Sequence, residues 1–275
     1  MVSKRSSQAV IDDTPTALIT GASSGIGEAL AACFAEAGYN LVLVARSADK
    51  LKVLAKTLAA NHGVKAWAEP ADLSAPDAAK KLSAAMKKAR RRIDVLVNNA
   101  GVLEYGPFSG MAMQRHHDMI DLNVSGLTTM IAYFSPAMIE HGSGRILNVA
   151  SIAAFQPIPS LATYAATKAY VLSLTESLSE EFKGTGVSIT ALCPGVTATN
   201  MFSSAKSSSS QLSKLPAFLI GDAEQVAREG FDACMRGEVI RVPGAINQAS
   251  IIASRATPKW LLRKVSGAMI RRMKP

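Results

Sequence analysis

The sequence predicts an α/β fold: a doubly wound parallel sheet with helices on both faces. Three observations carry this. Apolar runs of five to seven residues recur along the chain, each separated from the next by a stretch of helical composition. A glycine-rich turn links the first run to the first helix. The alternation continues without a linker-like break, and right-handed crossovers turn such a chain into one doubly wound domain.

Taken in order, "TALIT" (16–20) is the first strand and ends at Gly21. "ALAACFAEAG" follows as a helix that stops at Gly38, a C-terminal cap. "NLVLVA" (40–45) is the second strand, "DKLKVLAKTLAANHG" a helix, and "VKAWAEPADL" brings the third strand. A helix through "AAKKLSAAMKKA" leads to the fourth strand, "IDVLVNN" (93–99). One helix is expected over 112–141, a strand over "GRILNVAS" (144–151), a helix over 160–183 and a strand over "VSITALCP" (187–194). The serine-rich "SSAKSSSSQLSK" (203–214) follows that strand at its C-terminal end, where open α/β sheets bind ligands. It reads as a lid loop, with a plain surface insertion as the alternative. The domain plan is a flexible leader over 1–13, one domain over 14–250 and a basic amphipathic C-terminal helix over 251–275.

Composition bounds the function. The chain has 275 residues, 48% hydrophobic and 19% charged, which is globular and long enough for a substantial core. No apolar run approaches the ~18 residues of a membrane span, and the N-terminus lacks the apolar core of a secretory signal. Cys33, Cys193 and Cys234 lie far apart with no paired spacing, which argues against a disulfide framework or a metal site and suits a reducing, cytoplasmic setting. His116 and His117 are adjacent and read as surface residues. The net charge is +9, but the basic residues divide between "KKARRR" (87–92) and the tail, with no interleaved aromatics, so no nucleic-acid partner is expected. The last 25 residues carry seven Lys or Arg and no acid. An amphipathic helix there either packs on the protein's own surface or makes peripheral membrane contact.

The motifs carry the chemistry. "TGASSGIGEAL" places Gly21, Gly25 and Gly27 between a strand and a helix. Gly21 serves the tight turn, Gly25 the approach of backbone to a pyrophosphate, and Gly27 the packing of helix on strand, while Ser23 and Ser24 hydrogen-bond phosphate oxygens. The second strand ends in "VARS", with no carboxylate before Asp49. An acid there would take the ribose hydroxyls of NAD(H); Arg46 instead suits a 2′-phosphate, so NADP(H) is preferred over NAD(H). Asp72 is placed to touch adenine, with a turn-forming role as the alternative. Tyr164 and Lys168 stand at i and i+4, on one helical face. A neighbouring ammonium is expected to lower a tyrosine pKa and favour proton exchange with a carbonyl or alcohol. Ser151, at the end of the fifth strand, can hold the substrate oxygen. Tyr170 falls on another face and reads as packing or an oligomer surface, and Asn98 as a residue that orders its loop.

Together, "TGASSGIG", "NNAG" (98–101), Ser151, Tyr164, Lys168 and "PGVTAT" (194–199) resemble the short-chain dehydrogenase/reductase family over about residues 14–245. The resemblance implies a Rossmann-like sheet of seven strands, a nicotinamide cofactor and a Ser-Tyr-Lys site. It also implies an auxiliary asparagine, Asn123 of "LNVSG", which bends a helix and holds a relay water. By the same token Ile26 joins the glycine loop and Leu73 follows Asp72. Asn99, Ala100 and Gly101 border the adenosine half; Pro194, Gly195, Val196, Thr197 and Thr199 border the nicotinamide half. The implied activity is the NADP(H)-dependent interconversion of a carbonyl and a secondary alcohol, by a homodimer or homotetramer. A catalytically silent cofactor-binding sensor or scaffold is the competing reading, and the presence of all four site residues argues against it. The apolar "VLEYGPF" and "IAAFQPIPS" around the site point to an apolar small-molecule substrate.

Overall fold

The computed structural model describes residues 14–199, 220–257 and Lys264. The leader, the serine-rich loop and nearly all of the tail beyond residue 257 lie outside the described residues.

Seven parallel strands form one sheet in the order β3-β2-β1-β4-β5-β6-β7. They are β1 (Thr16–Thr20), β2 (Asn40–Ala45), β3 (Ala66–Pro70), β4 (Val95–Asn98), β5 (Gly144–Val149), β6 (Val187–Leu192) and the two-residue β7 (Ile240–Arg241). Helices α1 (Gly25–Glu36), α2 (Ala48–His62) and α3 (Ala78–Lys88) connect the first strands. After β4 come α4 (Met113–Ile120), α5 (Leu127–His141), α6 (Ala162–Glu181), α7 (Ala223–Arg236) and α8 (Ala245–Ala256).

Strand alternation divides the core in two. Leu18, Val42, Val44, Leu96 and Ile146 face α3, α5 and α6. Ala17, Ile19, Leu41, Leu43, Val95 and Val97 face α1, α2 and α7. Both faces are covered, which is why β1 and β2 read as nearly continuous apolar runs. The strand order reverses between β1 and β4, so the C-terminal ends of these two strands flank the switch point where doubly wound sheets take their ligands.

The helix expected over 112–141 is not uniform. A π-helical turn over Asp121–Gly126 separates α4 from α5, and Asn123 sits in it. A wider turn breaks the regular hydrogen-bond ladder and redirects the axis. The cause lies in the fold: a Cβ at Gly126 would come within 2.5 Å of the Leu73 carbonyl, so the helix has to pass β3's exit closely. The helix that carries residue 251 begins earlier than expected, at Ala245. The helix Ala223–Arg236 has a readable start, since Asp222 accepts from the Gln225 N–H at 2.9 Å. The "KKARRR" segment is largely exposed, as expected, but Arg91 pairs with Glu69 at 2.9 Å and lies over the Trp67 ring.

Candidate active site

A cleft of about 450 Å³ crosses the C-terminal ends of the strands. One end is walled by Gly21, Ser23, Ser24, Gly25, Ile26, Arg46, Asp72, Leu73 and the Asn99–Ala100–Gly101 turn. Its other end is walled by Ser151, Tyr164, Lys168, Pro194, Gly195, Val196, Thr197 and Thr199. Residues predicted from four separated motifs thus share one cavity.

Two predicted residues lie outside it. Gly27 sits beneath the glycine loop, where a Cβ would come within 2.4 Å of the Gly21 carbonyl and 2.3 Å of the Asn99 side-chain nitrogen. Asn123 stands behind the wall. Its Oδ1 accepts from the Val102 N–H at 2.9 Å; its Nδ2 donates to the Val102 carbonyl at 2.9 Å and to Thr167 Oγ1 at 3.1 Å. This side chain ties the segment after β4 to α6, and Thr167 in turn donates to the Tyr164 carbonyl at 2.7 Å.

The glycine loop turns at Gly21, whose φ of +65° lies in the left-handed region. Thr20 fixes its position. The Thr20 hydroxyl donates to the Val97 carbonyl and accepts from the N–H groups of Asn99 and Ala100, joining β1 to the end of β4. The sequence signal for this threonine is a hydroxyl at the close of an apolar run, directly before the first glycine. Asn98 is buried and donates to Asn148 at 2.9 Å, which donates to Thr175 at 2.9 Å, so the ordering role expected of it runs across β4, β5 and α6. Asp72 is engaged in the turn, its Oδ1 accepting from the N–H and hydroxyl of Ser74. Those hydrogen bonds, with a smaller contribution from the Arg46 charge, hold its carboxyl below the usual range.

At the other end, Lys168 Nζ donates to the Val149 carbonyl at 2.8 Å and stands 5.8 Å from the centre of the Tyr164 ring. Ser151 accepts from the Ala153 N–H at 3.1 Å and contacts the Pro194 carbonyl at 3.5 Å. The expected lowering of the tyrosine pKa is reversed within the chain itself. Burial pushes the Tyr164 phenol up to about 12, with the Ser151 hydrogen bond pulling the other way. Burial likewise pulls the Lys168 ammonium down to about 8. Desolvation penalises whichever form is charged, and it is the largest cause of both shifts.

This has a measurable consequence. Lys168 titrates near 8 when folded and near 10.5 when unfolded. Between these values the unfolded chain holds a proton the folded chain has released, so this group's contribution to stability rises with pH across the window. Relative to Lys168→Met, wild-type stability is expected to gain on the order of 3 kcal/mol between pH 8 and 10.5. Denaturant titrations at the two pH values measure it, and a pH-independent difference between the proteins rules the lowered lysine out.

His116 corrects the surface assignment. His117 is exposed, but the His116 ring is 6% exposed and packs against Phe108 at 4.5 Å between ring centres. Adjacent helical positions diverge by about 100°, so one faces in when the other faces out. Tyr170 is 39% exposed and shares a hydrogen bond with Thr128 at 3.0 Å, in keeping with its expected role away from the cleft.

Sheet order and cleft define a doubly wound α/β protein with its ligand site at the switch point and buried ionisable groups at one end of it. The family model for short chain dehydrogenases matches residues 15–210. The oxidoreductase UcpA of Salmonella typhimurium is 38% identical over 187 residues, covering 68% of this chain and 70% of that protein. Hydroxysteroid dehydrogenase-like protein 1 of Gallus gallus is 30% identical over 249 residues, 89% of this chain and 72% of that one. A short-chain dehydrogenase from Sphingobium yanoikuyae, solved in complex with NADPH, superposes with a TM-score of 0.78 at 32% identity, covering 88% of this chain and 93% of its own. The chain belongs to the short-chain dehydrogenase family. It is an oxidoreductase of that family. Among the described residues, no helix is long and apolar enough to cross a membrane.

Proposed function

We propose that the protein is an NADP(H)-dependent oxidoreductase that interconverts an apolar carbonyl compound and its secondary alcohol, with Tyr164 as the proton-transfer group. The observation that carries this is the placement of Tyr164, Ser151 and Lys168 in the same cleft as the glycine loop and Arg46.

The residues fit a dinucleotide. Helix α1 starts at the glycine loop, and its N-cap Ser24 makes no side-chain cap hydrogen bond, so first-turn N–H groups are left for an anion. Arg46 is exposed at the end of β2 and lines the cleft, whereas Asp49, the next acid, does not. That charge pattern supports NADP(H) over NAD(H). Bound nicotinamide supplies or accepts the hydride. In reduction the Tyr164 phenol donates a proton to the substrate oxygen, and its high pKa keeps that proton in place at neutral pH. In the reverse direction tyrosinate needs a cation beside it, and Lys168 is the cation within reach. Lys168 spends one N–H on Val149 and keeps two for ribose hydroxyls. Ser151 steers the substrate oxygen toward Tyr164. Asn123 acts from behind, positioning α6 and supporting the relay through its π-turn. Val102, Leu103, Ile152, Ile158 and Leu161 line the substrate side, which favours an apolar ketone.

A panel of ketones, oxoacyl esters and secondary alcohols, assayed by NADPH oxidation or NADP reduction, tests the reading. Turnover of at least one apolar ketone or alcohol is expected; none across the panel defeats it. Arg46→Asp is expected to weaken NADPH by about 10- to 100-fold, the worth of a charge-assisted contact turned repulsive, with little effect on NADH. Titration of both nucleotides by intrinsic fluorescence measures the ratio, and an unchanged ratio removes Arg46 from the phosphate site.

We further infer a homodimer or homotetramer built on the outer faces of α5 and α6, where Tyr133 and Tyr170 are 40% and 39% exposed. Light scattering on the full chain tests it, and a monomeric mass removes it.

A further inference from the structure

We infer that His116 is a positioning residue that clamps the substrate-side loop to the helix carrying Tyr164, and thereby sets both the placement of the phenol and the size of substrate admitted. The inference rests on the reading of Tyr164 as the proton-transfer group.

His116 stands on α4 and reaches two elements at once. Its Nε2 is 3.3 Å from the Phe108 carbonyl, and its Nδ1 is 2.7 Å from Thr163 Oγ1. A carbonyl oxygen only accepts, so Nε2 carries the hydrogen; in the neutral ring Nδ1 then accepts from the Thr163 hydroxyl. Thr163 precedes Tyr164 in the first turn of α6. That turn has Leu161 at its N-cap, which offers no side-chain cap, so the Thr163–His116 contact anchors an otherwise uncapped helix start. Phe108 belongs to the 3₁₀ turn Phe108–Gly110, in the segment that begins with the cleft residues Val102 and Leu103.

Two further contacts make this segment an arch. The Gly106 N–H donates to the Ser160 carbonyl at 2.9 Å, and Arg115, next to His116, pairs with Glu104 at 3.0 Å. Ser160 has φ of +67°, a conformation costly for a residue with a Cβ, and it lies four residues before Tyr164. Surrounding contacts have to hold such backbone in place. Ile158 and Leu161, on either side of it, line the cleft. The arch thus spans the substrate side, and His116 is the buried group common to its two feet.

The two arms separate by mutation. Thr163→Val releases the α6 arm while keeping side-chain shape. It is expected to lower kcat about threefold to tenfold, the worth of one hydrogen bond, with KM nearly unchanged. His116→Asn keeps an acceptor for Thr163 but is too short to reach Phe108. It is expected to raise KM for a bulky aromatic ketone about threefold to tenfold, leaving kcat and the KM for cyclohexanone near wild type. NADPH affinity should stay within about twofold in both, because no arm touches the cofactor end. Hydrogen exchange provides a readout independent of turnover: faster exchange over 104–112 is expected in His116→Asn, and over 162–165 in Thr163→Val. Exchange unchanged in both segments overturns the clamp. So does faster exchange accompanied by kcat and KM that move together for both ketones, which is the mark of a merely structural residue. If the wild-type protein turns over no ketone, the proposed function fails, and the clamp stands or falls on exchange alone.

Discussion

Tyr164→Phe is expected to lower kcat by about 10²–10⁴-fold while NADPH binds as in wild type, since a positioned acid–base group is worth that much and phenylalanine keeps the ring. The ring is 8% exposed and packs with Met119, Ala153 and Ala165, so its removal as a whole would confound packing with chemistry; the loss of one hydroxyl does not. Ser151 hydrogen-bonds the hydroxyl, and Lys168 Nζ stands 5.8 Å from the ring centre. Neither is expected to substitute for it in donating to the substrate oxygen: an aliphatic hydroxyl is far too weakly acidic, and the Lys168 ammonium is held by the Val149 carbonyl at 2.8 Å. Steady-state kinetics with a turned-over ketone, paired with NADPH titration, measure both quantities. Full activity in the variant sinks the assignment of Tyr164, and loss of NADPH binding shows the change to be one of structure.

Gly27→Ala is expected to have the largest effect on the cofactor end. One added methyl group would meet the Gly21 carbonyl and the Asn99 side chain inside van der Waals contact. Neither neighbour is the loose end of a flexible chain. Gly21 is backbone in the tight turn, and Asn99 Nδ2 donates to the carbonyls of Thr20 and Gly21 at 2.9 and 3.2 Å. Forcing them apart costs about 1–3 kcal/mol as overpacking, and in a chain of this size each kcal/mol lowers Tm by roughly 2–4 °C. The displaced turn also misplaces Gly21 and Ser23, so NADPH affinity should fall by more than about tenfold. Thermal unfolding with and without NADPH tests this. An unchanged Tm together with unchanged NADPH stabilisation shows that the turn can yield.

The fold was legible because its signals are local. β1 and β2 are largely apolar runs whose residues are buried on both sheet faces, so neighbours in sequence share one environment and no alternation hides them. β7 was beyond such reading: two residues, Ile240 and Arg241, pair only because β6 already offers an edge. The site was legible in part for the same reason. Tyr164 and Lys168 share a helix, and the three glycines share a turn, so spacing reports their proximity. Thr20 and Asn98 were harder, because their importance lies in hydrogen bonds to segments more than 45 residues away.

Other features depend on elements that meet only after folding. His116 and His117 are chemically alike and adjacent; α4 packs so that one is buried against Phe108 and Thr163 and the other faces outward. The Asn123 side chain binds Val102 and Thr167 across two elements, a pairing that only folding brings about. The pKa of Tyr164 lies opposite to the pairwise expectation and that of Lys168 is lowered, because desolvation depends on everything packed around a group. Residue types at short spacing therefore named the fold class and the groups proposed to react. Burial, which sums contributions from the whole chain, set their protonation and brought in His116.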